Sequence, residues 1–574
     1  MDTSVEVITS RSSLPIDHHI KISAGPGAGK TTLLANHIQE IIKKSEKISD
    51  LRKVACITYT NIAVETLKKR LGMAIDYVEI ATIHNFFYKN IVKPYLWVLS
   101  DEYNFDYEKI SGHDDIVPSY SLLKEWAIET KQFYLMEGTN LNEVSQKLQK
   151  IVWNLESDGG LVLDFSESWH RKVGKLSIKR DSLIEYKKIC WSKGMLHHDD
   201  VLFLSLKILE KNDRIIDIIR AKFPYIMIDE FQDTSLIQSK IIKQIAEKET
   251  IIGVIGDECQ SIYEFAGASV DEFINFHLDG IRLFKIEENN RSTVEIINVL
   301  NHVSKDSKLN QFSPDKRGGD TPKILIGEIH KAYKYAKDAV GESPLLTLAY
   351  RKDNPNKLKY GVKSIDNEAL KLNLLFEDDD RGRKIYYVIQ SIEYGKEGRI
   401  KDALKSMLKA YRKDLTFKER ESLKNLQTLL NEYSNIENLS LTDFYNSFLF
   451  GHFNTHQKIT RGKRKEFYSS VFYKDIACTV DLHETNSLFR TIHKSKGDEE
   501  QNVLLVIENK KSFDEIKELK FLLNPSINAD EDHRVYFVAL SRAKEKLFIN
   551  IPSLSEENKI EIEKLNLFVI DYLE

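Results

Sequence analysis

Cysteine is scarce in this chain: there are four in 574 residues, Cys56, Cys190, Cys259 and Cys478, scattered without metal-ligand spacing. That argues against a disulfide framework, a zinc site and an iron–sulfur cluster. Long apolar runs are missing too. No stretch reaches the roughly 18 residues that a membrane span needs, and no apolar signal segment opens the chain. The expectation is a soluble, cytoplasmic protein with no membrane association. Charge of one sign is also lacking, with 83 Lys and Arg against 87 Asp and Glu and a net charge of −4. Such a balance neither indicates nor excludes nucleic acid, because a local basic groove is what matters there. No repeat or low-complexity tract stands out. The remainder, 42% hydrophobic and 30% charged, is ordinary globular composition. At this length two to four domains are expected.

What is present begins with ISAGPGAGKTTLL at residues 22–34. A short β-prone run precedes a glycine loop, and an apolar helix follows it, which is the setting of a phosphate cradle. Gly25, Gly27 and Gly29 let successive N–H groups turn toward phosphate oxygens. Lys30 is placed to reach the β- and γ-phosphates, and the Thr31 hydroxyl to hold Mg2+. Thr32 and the helix N-terminus add donors and a favourable partial charge. The strict pattern G-x-x-x-x-G-K-[ST] has Gly where this chain has Ala24. The loop implies a bound nucleoside triphosphate.

Further strands are expected at KVACIT (53–58), YIMI (225–228), IIGVIG (251–256), LLTLAY (345–350) and VLLVIEN (503–509). Helices between them predict parallel α/β sheets. Residues 86–196 and 352–485 break the rhythm and read as mainly helical insertions, the second with a basic run KITRGKRK at 458–465. The expected organisation is a first core (1–85 and 197–280) and a second core (281–351 and 486–574), each interrupted by one insertion. YIMIDEFQDTS ends a buried strand with Asp229 and Glu230. Carboxylates at the C-terminal end of a parallel strand lie where open α/β sheets bind ligands. Asp229 suits holding Mg2+, and Glu230 suits polarising the attacking water.

DEFQD and VIGDECQSIYEFAGA (254–268) resemble motifs II and III of the superfamily 1A helicases of the UvrD/Rep/PcrA family. The others follow in that family's order: ITYTNIAVETLKKRL (57–71), ATIHNFF (81–87), GMLHHDDVLFLSL (194–206), ENNRS (288–292), FRTIHKSKGDEE (489–500) and RVYFVALSRAKEKLFI (534–549). Ala at the first loop position is usual there, which accounts for Ala24. The resemblance implies two RecA-like P-loop NTPase cores, with ATP and Mg2+ as cofactors. It also implies roles residue by residue. Arg291 and Arg542, assigned to the second core, would contact the γ-phosphate and stabilise charge in the transition state. Gln260 would sense that phosphate, and Glu499 would contact the nucleotide sugar. Tyr59, Asn61, His84, Tyr263, Phe265, His493 and Lys496 match positions along the DNA strand, where stacking on aromatic faces is sequence-tolerant.

The chain departs from the family in several places. No glutamine precedes Gln39, and Asn290 replaces the tyrosine that stacks on the base, so base identity is loosely read. His18 and His19 are candidates to replace the lost contact. Phe265-Ala266 stands for the usual Trp-Arg, which removes one basic contact, and Asp498 stands where leucine is common. Few residues follow Ala543, so no nuclease domain is expected there. A UvrD-like chain of this form also resembles the helicase subunit of anti-phage systems such as Gabija, implying a nuclease partner. The expected activity is ATP-driven translocation on single-stranded or tailed duplex DNA with 3′–5′ unwinding, in repair or anti-phage defence. A nucleic-acid-sensing ATPase switch that regulates a nuclease, and an RNA-directed helicase, remain as alternatives.

Overall fold

The computed structural model describes residues 5–573 except 115, 117, 137–139, 157–158, 166–169, 308, 352, 362–373, 375–380, 412–418, 451–457, 481–486 and 508–512. Within elements and turns it also leaves aside the side chains at 61–62, 140–142, 266 and 353–354. The chain forms two compact units, Met1–Gly318 with Asn524–Phe537, and Gly319–Leu523 with Val538–Glu574.

The first unit is built on a seven-stranded parallel sheet. Its order across the sheet is Glu6–Val7, Arg282–Ile286, Ile20–Ala24, Ile251–Gly256, Tyr225–Ile228, Val54–Thr58 and Val78–Thr82. The strands read as continuous apolar runs because both faces are covered, as parallel sheets require. Ala55, Ile57, Ile226 and Ile228 point into one core. Val54, Cys56, Tyr225 and Met227 point into the other. The phosphate-loop strand Ile20–Ala24 lies beside Ile251–Gly256, which in turn lies beside the acidic strand Tyr225–Ile228. The loops after these strands therefore emerge together at one edge.

The structure adds two details to the expected organisation. The boundary placed at 281 falls at Gly318. Arg282–Ile286 pairs along its whole length with Ile20–Ala24, and Phe284 and Ile286 are buried in the first core. Arg291, which follows this strand, thus belongs to the first unit and not to the second. The region 86–196 is also less helical than its amphipathic pattern suggests. Helices Tyr120–Glu129, Asn140–Leu148 and Asp181–Ser192 are present, but Ile151–Leu155 pairs antiparallel with Leu161–Phe165. The β-branched and aromatic run Ile151-Val152-Trp153 favours a strand there, and Trp153 stacks on Phe203 at 3.7 Å and 10°.

The second unit carries a six-stranded parallel sheet ordered Phe489–Thr491, Leu345–Ala349, Glu500–Val506, Ala543–Ile551, Lys323–Ile326 and Val569–Tyr572. Helices Arg381–Lys396, Ile400–Ala410, Glu419–Asn431 and Tyr473–Thr479 build a separate apolar core. Glu393, 1% exposed, lies in it and accepts from the Tyr360 and Tyr473 hydroxyls at 2.7 and 2.8 Å.

Candidate active site

The phosphate loop joins Ile20–Ala24 to the helix Lys30–Lys44. Gly27 and Gly29 adopt φ of +71° and +81°, which side chains with a Cβ rarely accept. Space reinforces the choice. A Cβ at Gly27 would lie 2.7 Å from the Arg291 Cβ, and one at Gly29 would lie 2.7 Å from the Ser10 Cβ. Gln311 fills the space over Gly25 and donates to the Pro26 carbonyl at 2.9 Å. The helix has no acidic residue in its first turn, and Lys43 and Lys44 lie in its last. Its N-terminal partial positive charge is left for an anion. Lys30 Nζ donates to the Ala24 and Gly25 carbonyls at 3.0 and 3.4 Å, and Arg70 donates to the Thr32 hydroxyl.

Across from the loop, Asp229 is 5% exposed. Burial first, and then the neighbouring Glu230, push its carboxyl above the usual range, while Lys30 opposes them. Glu230 sits in the left-handed region at φ 54°, ψ 42°. Such a conformation costs a non-glycine residue about 1–3 kcal/mol and is concentrated at functional sites. The Glu230 carboxylate accepts from Gln232 Nε2 at 2.6 Å, and Gln232 Oε1 accepts from the Asp257 N–H at 3.0 Å. Gln260 Nε2 donates to Asp257 Oδ2 at 2.5 Å. One hydrogen-bonded line thus runs Glu230–Gln232–Asp257–Gln260. Asp257 is fully buried, and burial raises its pKa.

The aromatic candidates of the first unit also meet. Tyr59 and Tyr263 are stacked at 5.1 Å and 21°, and Phe265, 58% exposed, has its ring 6.0 Å from that of Tyr263. The two tyrosines cover each other, so Phe265 offers the open face. His84 lies within 6.1 Å of His198 and 6.4 Å of His113, whose Nδ1 is 2.7 Å from His198 Nδ1. Burial, then these imidazoles, lower the His84 pKa to about 4. The Asn61 side chain lies outside the described residues.

Residues 8–279 match the UvrD/REP helicase N-terminal domain, and residues 349–553 the UvrD-like helicase C-terminal domain. The chain belongs to the UvrD/Rep helicase family. It is 26% identical over 600 residues to the Gabija protein GajB of Bacillus cereus, with 85% of each chain covered. Against the ATP-dependent DNA helicase PcrA of Bacillus subtilis it is 24% identical over 354 residues, covering 58% of this chain and 45% of PcrA. A probable DNA helicase II homolog of Mycoplasma capricolum is 24% identical over 499 residues, 63% of its length. The chain thus spans about half the length of PcrA and most of GajB.

In this UvrD-family protein, Arg542 of the second unit is 2% exposed. Its guanidinium donates to the Val538 and Asp498 carbonyls at 2.9 and 3.0 Å and to Ser541 Oγ at 2.7 Å. Asp498, unexplained by sequence, is ion-paired with Arg490 at 2.5 Å, which fixes the turn whose carbonyl receives Arg542. Glu499 is paired with Lys544 at 2.8 Å. His493 stands edge-on to Tyr350 at 5.7 Å, and Lys496 is half-buried just beyond it. His18 and His19 do not meet the phosphate loop. They precede the strand, and His19 Nδ1 accepts from the Ile252 N–H at 3.0 Å at the end away from the loop.

Gln232, Asp257, Gln311 and Arg70 are contributors that reading the sequence missed. Asp257 directly follows a buried strand, the signal that singled out Asp229, and Gln232 lies in the turn after Asp229 and Glu230. The residues fit a Mg2+-triphosphate: a lysine bonded to loop carbonyls faces buried carboxylates destabilised by burial. Among the described residues no three His, Cys, Asp or Glu side chains are grouped to hold a metal by themselves. Among the described residues no helix is long and apolar enough to cross a membrane.

Proposed function

We propose that this protein is an ATP-dependent, single-strand DNA translocase and DNA helicase of 3′–5′ polarity, acting in DNA repair or anti-phage defence. The observation that carries the reading is the gathering of Lys30, Asp229, Glu230 and Gln260 in one arrangement, with the Tyr59–Tyr263–Phe265 rings on the same unit. Lys30 neutralises the terminal phosphates, and Thr31 and Asp229 hold Mg2+. When bound, the ion would supply neutralising charge to the triphosphate. Glu230 accepts the proton of the attacking water, Arg291 and Arg542 serve as guanidinium donors to the γ-phosphate, and Glu499 holds the sugar. Bases stack on Tyr263 and Phe265, with Tyr59, Asn61, His84, His493 and Lys496 along the strand. Similarity to GajB over most of both chains supports a defence role with a nuclease partner. Displacement of a labelled strand from 3′- and 5′-tailed duplexes tests it. Unwinding of the 3′-tailed substrate is expected; none on either would leave the nucleic-acid-sensing switch.

The base is expected to be weakly read, since no upstream glutamine exists and His19 is committed elsewhere. Without a hydrogen-bonding reader, an apolar slot separates bases by about 1–3 kcal/mol. GTP or CTP should therefore support hydrolysis within about two orders of magnitude of ATP in kcat/KM. A preference for ATP above about a thousandfold would require a base-reading group that this account lacks.

The basic run gives a further expectation. Arg461, Lys463, Arg464 and Lys465 are exposed around the start of the helix Lys463–Ser470. If they lie on duplex phosphate, neutralising them flattens the plot of log affinity against log salt, because fewer counterions are released. An unchanged slope would place them on a solvated face.

A further inference from the structure

We propose that Arg534 and Glu264 are positioning residues that set the base-stacking loop of the first unit, so that DNA affinity depends on a strut that touches no DNA. The inference rests on the proposed DNA-dependent activity. Loop 261–267 carries Tyr263 and Phe265 at its apex and begins directly after Gln260. Its own bonds are few: the Gly267 N–H donates to the Glu264 carbonyl at 2.9 Å, and the Ala268 N–H to the Tyr263 carbonyl at 3.2 Å. The Ser261 hydroxyl also donates to the Gln232 carbonyl at 3.1 Å, but an exposed ring presents a fixed face only if the backbone that carries it is fixed.

The fixing comes from far along the chain. Arg534, on the helix Glu531–Leu540, is 3% exposed. Its Nε donates to the Ser261 carbonyl at 2.8 Å, its Nη1 to the Ile527 carbonyl at 2.8 Å, and its Nη2 to the Glu264 carboxylate. Glu531, one helical turn earlier, accepts the Glu264 N–H at 3.1 Å. The planar guanidinium fork thus pins both the root and the middle of the loop, a geometry that lysine cannot reproduce. Asp306 secures the far side of the clamp, accepting from the Ile527 and Asn528 N–H groups at 3.1 and 3.2 Å. None of these side chains belongs to the phosphate site, so the strut is expected to act on DNA binding and not on DNA-free turnover.

Electrostatics makes the inference separable from a simple charge effect. Glu264 is a carboxylate on the loop that would face phosphate. Removing it should tighten DNA binding if only charge counted, since a repulsion is lost. A positioning role predicts the opposite sign. The experiment measures DNA-free turnover, the DNA concentration for half-maximal stimulation, and quenching of a 2-aminopurine oligonucleotide by stacking. It compares the parental protein with Glu264→Ala and Arg534→Lys. Both variants should raise the half-saturating DNA concentration about tenfold, within the range of one lost stacking contact, and weaken quenching, with DNA-free kcat and KM for ATP unchanged. Parental or tighter DNA dependence in Glu264→Ala overturns the proposal even if Arg534→Lys fails to fold. A fall in DNA-free turnover in parallel overturns it as well. Absence of DNA stimulation in the parental protein would instead overturn the proposed function, before any variant is compared.

Discussion

Glu230→Gln should lower triphosphate turnover by about 10²–10⁴-fold, the usual contribution of a positioned general base, while nucleotide affinity stays within a few-fold of the parental protein. The amide keeps an oxygen for the Gln232 Nε2 contact at 2.6 Å, so the line to Asp257 and Gln260 is preserved. Lys30 and the loop N–H groups are untouched. What is lost is the ability to take a proton from water. Lys30→Ala, by contrast, should weaken binding and turnover together. A further consequence follows from the left-handed backbone at Glu230. Glu230→Gly should raise stability by about 1 kcal/mol, because glycine adopts that conformation without strain, while turnover falls as in the Gln variant. Stability gained as activity is lost marks a residue kept in place by function. Parental turnover in Glu230→Gln, measured by phosphate release, would remove Glu230 from the role of base.

Asp200→Ala should destabilise the first unit by about 3–5 kcal/mol, the cost of breaking a buried ion pair from one side. Asp200 and Lys187 are 0% and 1% exposed and 2.7 Å apart. The carboxylate also accepts from the Trp191 and Trp153 indoles at 2.9 and 3.2 Å and from the His197 N–H at 3.0 Å. Truncation strands an ammonium and three N–H donors inside a core. Pairing Asp200→Leu with Lys187→Met removes the stranded charge and should recover part of the loss. The pH dependence has a definite sign. Burial raises the Asp200 pKa, but Lys187, the Trp191 indole and His197 outweigh it and hold the carboxyl below the usual range. The contribution is therefore complete above the unfolded-state value and fades as pH falls through the lower folded-state one. Thermal unfolding of the parental and variant proteins between pH 7 and pH 3 reads both effects. A loss under about 1 kcal/mol would mean that the pair behaves as a surface one.

Much of this architecture was legible in the sequence, for physical reasons that differ by segment. IIGVIG and YIMI announce themselves because a strand covered on both faces must be apolar throughout, and the structure has strands at those positions. The phosphate loop was readable because positive φ and close packing leave glycine as the residue that fits at 27 and 29. RLFKI was harder. Its alternation does not say which sheet it joins, and only the pairing with Ile20–Ala24 assigns Arg291 to the first unit. The hairpin at 151–165 was hidden because IVWNLE continues the apolar spacing of the helix before it. Contacts between residues distant in sequence were invisible altogether. Gln311 over Gly25, Arg70 on Thr32 and Arg534 on the stacking loop carry no local pattern. Asp498 looked anomalous although its partner Arg490 lies in the same motif, because the ion pair between them is a feature of the folded turn and not of the residue pattern.

The central claim is that triphosphate hydrolysis at the Lys30–Asp229–Glu230 site is driven by single-stranded DNA. The most direct measurement is the steady-state rate of phosphate release with and without a single-stranded oligonucleotide, with RNA of the same sequence as a third arm. Low turnover alone, strong stimulation by DNA, little by RNA, and no stimulated turnover in Glu230→Gln are expected. Equal rates with and without DNA, or equal stimulation by RNA, would contradict it.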